Sequence, residues 1–272
     1  MNISQHTTRT MTQSQNSGAR VQGRVGIGED YYDEQADAID RDRYYQSVRD
    51  SFDDGDGAQL YNDLHRLISR NTRDLGYKGA RRELYRTIDR RPDGALYYLY
   101  SGEGPKNEEE VTGPNDSQLS NFNCEHVVPQ SWFNKARPMK SDLHHLFTEE
   151  VKCNSSRANY NMADLPESSR TIPSCGLVNN KSGEFEPNAG KGAVARAVLY
   201  FVTRHPGYVG DARVETKLSD LPQLLEWHRD YPVTDYERHR NDTIEDVQGN
   251  RNPFIDFPEL AEKVDFSRGF DG

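Results

Sequence analysis

The chain is short of cysteine, of apolar residues and of long apolar runs, and each shortage excludes something. Three cysteines in 272 residues, Cys124, Cys153 and Cys175, are too few for a disulfide framework, and the odd count leaves at least one thiol free or on a metal. No stretch approaches the roughly 20 apolar residues a helix needs to cross a bilayer, so no membrane partner is expected. Residues 1–23 show neither a basic patch followed by an apolar stretch nor a small-residue cleavage site. They do not read as a secretory signal, and localisation stays open. Hydrophobic residues make up only 33% of the chain and charged ones 29%, a balance that calls for a very polar surface, unfolded segments, or both. Positive charge is scarce as well, with 34 Lys and Arg against 44 Asp and Glu, and a net charge of −10 opposes nucleic acid unless the charges are segregated.

Segregation is what the sequence shows. Residues 1–28 are Ser, Thr, Gln, Asn and Gly with almost no apolar periodicity, and such a segment buries too little surface to offset its ordering entropy. Residues 29–57 carry eleven acidic groups against Arg41, Arg43 and Arg49. The acidic DSFDDGDG puts Phe52 at the third position when Gly55 is the sixth, which breaks the spacing of a calcium loop. Residues 1–57 are therefore expected to be a disordered or loosely ordered polar and acidic extension, and residues 58–272 a single folded domain. From Arg66 to Arg91 the sign reverses, with nine basic residues and three acidic ones. Leu60, Leu64, Leu67 and Ile68, then Ala80, Leu84 and Ile88, recur at helical spacing, so these cations ride on two amphipathic helices.

Further along, ALYYLYSG, NFNCEHVV and SDLHHLF read as strands and EEVKCNSSRANY as a short helix, so the last three form a ββα unit. Residues 102–120 and 161–187 read as loops, rich in Gly, Pro, Ser and Asn. Three helices follow, in AGKGAVARAVLYFVTRH, LSDLPQLLEWHRDY and PVTDYERHRNDTIEDVQGN, the last opened by a capping box of Thr234 and Glu237. The fold class is α+β.

Around the ββα unit, eight side chains are chemically able to bind metal or move protons: Cys124, Glu125, His126, Asp142, His144, His145, Cys153 and Asn154. Two readings divide them. Soft ligands Cys124, His126, one of His144 and His145, and Cys153 would hold structural zinc in a nucleic-acid-binding module, although the usual Cys-x-x-Cys or His-x-x-x-His spacing is missing. Hard oxygens of Glu125 and Asn154 would instead hold magnesium, with neutral His126 taking a proton from water beside a phosphodiester. Strand neighbours face opposite ways, so Glu125 and His126 serve one site only where the strand ends, as Pro129 implies.

The segments EHVVPQSWF, SDLHHLF and VKCNSSRANY closely resemble the endonuclease I family of His-Me finger (ββα-metal) nucleases. ARRELYRTID and LYYLYSGE upstream, and GAVARAVLYF, EWHRDYPVTDYERHRN and VQGNRNPFID downstream, match the same family in order. The resemblance implies a His-Me finger core, a β-hairpin plus helix, wrapped by additional helices. It also implies a monomeric, magnesium-dependent endonuclease that cuts DNA with little sequence preference and leaves 5′-phosphate ends, RNA being left open as a second substrate. Carried over, His126 is the general base, and Glu125 and Asn154 bind the one metal ion. Some members carry a phosphate-binding arginine in an insertion that is short here (FNKARPMK), so Arg137, Lys140 and Arg157 are the candidates for that role. His144 and His145 are assigned to structure, Trp132, Trp227 and Tyr231 to the core, and the Gly and Asn residues of VQGNRNPF to packing. Arg196, amid Ala and Val, must meet a carboxylate or reach the phosphates.

Overall fold

A computed structural model describes residues 31–104, 121–210 and 214–270. Residues 1–28, expected to be disordered, and most of the expected 102–120 loop lie outside the described residues. The described chain is α+β, with short sheets set among helices.

The middle of the fold is α5 (Lys191–Arg204), in which Val194, Ala195, Val198, Leu199, Phe201 and Val202 are all buried. A helix apolar all round has to be enclosed. It is enclosed by α2 (Gly57–Ser69) through Leu60, Leu64, Leu67 and Ile68, by α6 (Leu221–Asp230) through Leu224 and Trp227, and by Phe254 and Phe266 nearer the end of the chain. A second apolar cluster joins Ala80 of α3 (Gly76–Glu83) and Leu84 and Ile88 of the π-turn that prolongs it to Cys124, Leu143, Leu146 and Ile244 of α7 (Asp235–Gln248). The capping box that opens α7 is formed by Thr234 and Glu237 as read from the sequence, and Gly249, with φ 93°, closes the helix in the left-handed region.

The ββα unit is present. Strand β1 (Phe122–His126) pairs antiparallel with β2 (Leu146–Glu150), in a register that sets Glu125 opposite Phe147 and His126 opposite Leu146, and α4 (Val151–Arg157) follows directly. β2 starts later than SDLHHLF predicts, because the Asp142 side chain caps a 3₁₀ turn over Leu143–His145 by accepting from the His144 backbone N–H. The imidazoles of His144 and His145 are consequently both interior, with Nε2 of each on a backbone carbonyl, that of Asn250 and that of Met139 respectively.

Three other expectations are corrected. ALYYLYSG is no strand: Leu96 makes one bridge to Arg90, and the rest is a turn-containing segment fastened by Leu99 N–H to Thr148 O, Tyr100 N–H to the Glu149 carboxylate, and Ala189 N–H to Tyr100 O. The 161–187 loop contains β3 (Asn161–Met162), β4 (Arg170–Ile172), β5 (Gly176–Asn179) and β6 (Glu184–Pro187), which form one sheet in the order β3, β6, β5, β4 with Ile172, Val178 and Phe185 buried. Gly176 is required in this sheet, since a Cβ there would stand 2.0 Å from the Glu186 carbonyl oxygen. The part of the acidic extension that is described is folded: Asp33 caps α1 (Glu34–Tyr45), a 3₁₀ helix covers Gln46–Phe52, and Tyr45, Val48 and Phe52 join the main core.

The buried histidines set an acid limit. Burial is the main cause that pushes His144 down to about 4, against its ordinary 6.5. The unfolded chain therefore binds the proton first as pH falls, and stability is lost between about pH 6.5 and 4. Replacing it, as in His144→Gln, should remove roughly 3 kcal/mol of that loss. Denaturant unfolding of both proteins at pH 7 and pH 4 checks this, and an equal pH dependence in the two would contradict it.

Candidate active site

The site is assembled on the ββα unit. Asn123 and Glu125 project from one face of β1, as alternation requires. The Asn154 amide of α4 donates to Asn123 Oδ1 at 2.7 Å and to the Cys124 carbonyl at 3.3 Å. One turn further on, Arg157 Nη1 donates to Glu125 Oε1 at 2.7 Å and to the His126 carbonyl at 2.9 Å, and its Nη2 donates to the Val127 carbonyl. The 154/157 spacing thus lays both side chains against the Glu125 face. Tyr100 closes the group from the fastened 95–102 segment, its hydroxyl donating to Glu125 Oε1 at 2.6 Å. Burial raises the Glu125 carboxyl above its ordinary value, although Arg157 and Tyr100 pull the other way. Glu149, which accepts from Tyr100 N–H and Glu150 N–H, is pushed by burial up to about 8.

His126 leaves the strand on the opposite side. Its Nε2 lies 3.0 Å from the Lys140 carbonyl, which only accepts, so Nε2 carries the proton and Nδ1 keeps its lone pair. The Gln130 amide nitrogen stands 3.3 Å from that Nδ1. The rings of Tyr77, in α3, and His145 flank the imidazole with centroids 5.5 and 5.4 Å away. Burial, reinforced by His145, pushes His126 down to about 3, so the imidazole is neutral at physiological pH.

Behind the hairpin, Asp142 has five donors around its carboxylate: His144 N–H and Gln248 Nε2 at Oδ1, Arg204 and His205 at Oδ2, and the Tyr200 hydroxyl 3.2 Å from both oxygens. These cations and donors outweigh burial and hold its carboxyl well below the usual range. The VQGNRNPF segment completes the support. Gln248 Oε1 accepts from Leu143 N–H, Asn250 donates to Tyr200 and to the Ile68 carbonyl, and Asn252 caps α8 (Pro253–Asp256). The segment's Asn residues are interior, and Arg251 is likewise fully buried among Asp37, Glu245 and Asp256.

The structure therefore brings Glu125 and Asn154 to one side of β1 and sets His126 at the strand's end. It does not leave Arg157 for substrate: at 1% exposure this residue is engaged by Glu125 and two carbonyls, so the phosphate-binding assignment made for it fails on burial. Arg137 is exposed, with Nε on Asp74 at 2.7 Å. Lys140 adjoins the His126 imidazole, because its own carbonyl holds the ring. Arg196 meets a carboxylate, that of Glu237, through Nε at 2.7 Å and Nη2 at 3.0 Å. Tyr231 is 47% exposed and is not a core aromatic, whereas Trp132 and Trp227 are buried. The zinc set is broken up, since Cys153 is disulfide-bonded to Cys175, while Cys124 is a buried thiol outside that disulfide. Sequence reasoning missed Tyr100, which carries no local signal, and Tyr77 and Gln130. Of these, only Gln130, four residues beyond His126, was within reach of a local argument.

Comparison with known proteins bears on this arrangement. The sequence profile of the Endonuclease I family matches residues 56–259. The extracellular ribonuclease of Bacillus amyloliquefaciens is 31% identical over 245 residues, covering 84% of this chain and 79% of that protein. A protein of the same name from Bacillus subtilis (strain 168) is 33% identical over 242 residues, 83% of this chain and 79% of the relative. An extracellular deoxyribonuclease of Aeromonas hydrophila is 33% identical over 154 residues, 48% of this chain and 64% of the relative. With three quarters of its length inside the family profile and nuclease relatives aligned along most of it, the chain belongs to the Endonuclease I family and is a hydrolase acting on nucleic acids.

Proposed function

We propose that the chain is a magnesium-dependent endonuclease of the His-Me finger type, with His126 as general base. The observation that carries this reading is the tautomer: Lys140 O fixes the proton on Nε2, and the buried, neutral ring offers Nδ1 to a water. The Gln130 amide nitrogen stands 3.3 Å from Nδ1, in the place that this water takes once the side chain swings aside. Glu125 and His126, on the two sides of the strand end, flank the scissile phosphate.

The donor set fits a hard cation. Roughly four lone-pair positions surround a carboxylate, and Tyr100 and Arg157 together take two of those on Glu125. Asn154 spends its amide nitrogen on Asn123 and Cys124, which leaves its carbonyl oxygen as the coordinating atom. The raised carboxyl of Glu125 is also what a buried anion short of positive charge shows, and a divalent cation supplies that charge. When bound, magnesium would neutralise charge on the phosphate and on the departing 3′ oxygen. The product ends are then 5′-phosphate and 3′-hydroxyl.

The relatives carry both ribonuclease and deoxyribonuclease in their names, and both DNA and RNA are proposed substrates, cut with little sequence preference. Location outside the cytoplasm is proposed on the relatives' names and on the Cys153–Cys175 disulfide, which suits an oxidising compartment. Among the described residues no helix is long and apolar enough to cross a membrane.

The test is incubation of supercoiled plasmid, and in parallel a transcript, with magnesium or with excess chelator. Nicking that appears with magnesium and vanishes on chelation is the expected result. Cutting that survives chelation would remove the metal from the mechanism, and binding without cutting would reduce the chain to a binding module.

A further inference from the structure

Part of the basic run read from the sequence is spent on local ion pairs, Arg66 with Asp63 and Arg82 with Glu83, and the position of α3 relative to His126 gives another part a use. In α3, Tyr77 packs its ring against His126, and two cations from different segments lie over that same ring: Arg81 with Cζ 5.2 Å from the centroid, and Lys140 with Nζ 4.9 Å away. An aromatic ring holds a cation over its face and restrains where the charge sits. Asp74 sets the spacing between the two segments. Its carboxylate accepts from Gly76 N–H at the start of α3 and from Arg137 and Ser141 on the loop that carries Lys140, with distances of 2.7–2.8 Å. Lys78 and Arg86 continue the positive charge along the same helix and the turn after it, both exposed, while Arg82 pairs with Glu83, the one acid between Gly76 and Ile88. In a chain of net charge −10, such a face beside the catalytic imidazole is complementary to a polyanion.

We propose that Tyr77 is a positioning residue that braces Arg81 and Lys140 to hold the phosphates of a nucleic-acid strand on either side of the one facing His126, with α3 as the track along which that strand lies. The assignment rests on the nuclease reading of the site and adds to it the path of the substrate. It also divides Lys140 in two. The carbonyl fixes His126, and the ammonium grips the strand, so truncating the side chain leaves the base in place.

The experiment is fluorescence anisotropy of a labelled single-stranded oligodeoxynucleotide against the full chain in chelator, over a series of potassium chloride concentrations, for wild type and for Arg81→Ala, Lys140→Ala, Tyr77→Ala and Arg229→Ala. Each of the first two should weaken binding about fivefold and reduce the slope of log affinity against log salt by about 0.7, one phosphate contact each. Tyr77→Ala should weaken binding by more than either, and Arg81→Ala added to it should cost less than it does in wild type. Arg229→Ala, an exposed cation on α6, should leave the slope unchanged. Melting curves confirm that each variant is folded. Wild-type affinity and slope in all three cluster variants, or an equal loss in Arg229→Ala, would overturn the assignment. Because binding is read without turnover, this result is independent of cleavage: a wild type that binds with the predicted slopes and never cuts would sink the nuclease mechanism and leave the track standing.

Discussion

His126→Ala should lower turnover on plasmid DNA by about a thousandfold while leaving affinity for the oligonucleotide within about twofold of wild type. A positioned general base contributes roughly 10²–10⁴ in rate. The imidazole is held on three sides, by Lys140 O, by Gln130 and by the Tyr77 and His145 rings, so little of that contribution is lost to disorder in the ground state. Removing the ring leaves the Lys140 carbonyl without its donor, a cost of about 1–3 kcal/mol, which a chain of this size tolerates. The variant is therefore expected to be folded and inactive, and melting, binding and nicking on one preparation separate those outcomes. Retention of more than a tenth of wild-type turnover would dismiss His126 as the base. His126→Gln, which can still donate to Lys140 O but cannot take the proton, should restore stability and not activity.

The second large effect concerns the segment outside the family match. A chain that begins at Asp56, where the profile match begins, should fail to fold. Truncation removes Asp37, whose carboxylate lies 2.5 Å from Nη2 of fully buried Arg251, and Tyr45, whose hydroxyl donates to Asp256 Oδ2 at 2.8 Å. Removing Asp37 takes one carboxylate from Arg251 and leaves Glu245 and Asp256 facing it, so this part of the loss is about 1–3 kcal/mol. Exposing the pocket filled by Tyr45, Val48 and Phe52 adds about 1.5–3 kcal/mol for each large side chain. The loss is on the order of 6–12 kcal/mol, comparable to the whole stability of a domain. The single change Asp37→Ala isolates the ion pair and should lower the melting temperature by about 5 °C. Circular dichroism melts of both proteins are the check. A truncated chain that melts cooperatively at the wild-type temperature would show that residues 31–55 are dispensable.

That segment also shows where sequence reading stopped. Eleven acidic groups in a short stretch look like a solvated face, because a composition count does not see the arginine two hundred residues away that makes Asp37 an interior group. The 161–187 sheet escaped for a related reason. Its strands have two to four residues, too few for a period to register, and they are defined by pairing with one another. LYYLYSG has the composition of a strand, but the backbone groups of Leu99 and Tyr100 are taken by β2, by Glu149 and by Ala189. Arg157 sits at the end of a short helix with every local mark of a surface cation, and only the hairpin laid across it makes it a buried partner of Glu125.

What the sequence determined by itself is what depends on near neighbours or on an uninterrupted motif: the strand carrying Glu125 and His126, the helix carrying Asn154, the apolar helix α5, the capping box of α7, and membership of the family. Alternation, capping and helical periodicity act over a few residues, so the order of the letters contains them. Tertiary structure alone decided which nitrogen of His126 carries the proton, that Arg157 is buried, and how Tyr77, Arg81 and Lys140 meet beside the imidazole. Those outcomes rest on contacts between segments from 14 to some sixty residues apart, and a carbonyl such as that of Lys140 gains its role only from the ring that folding brings against it.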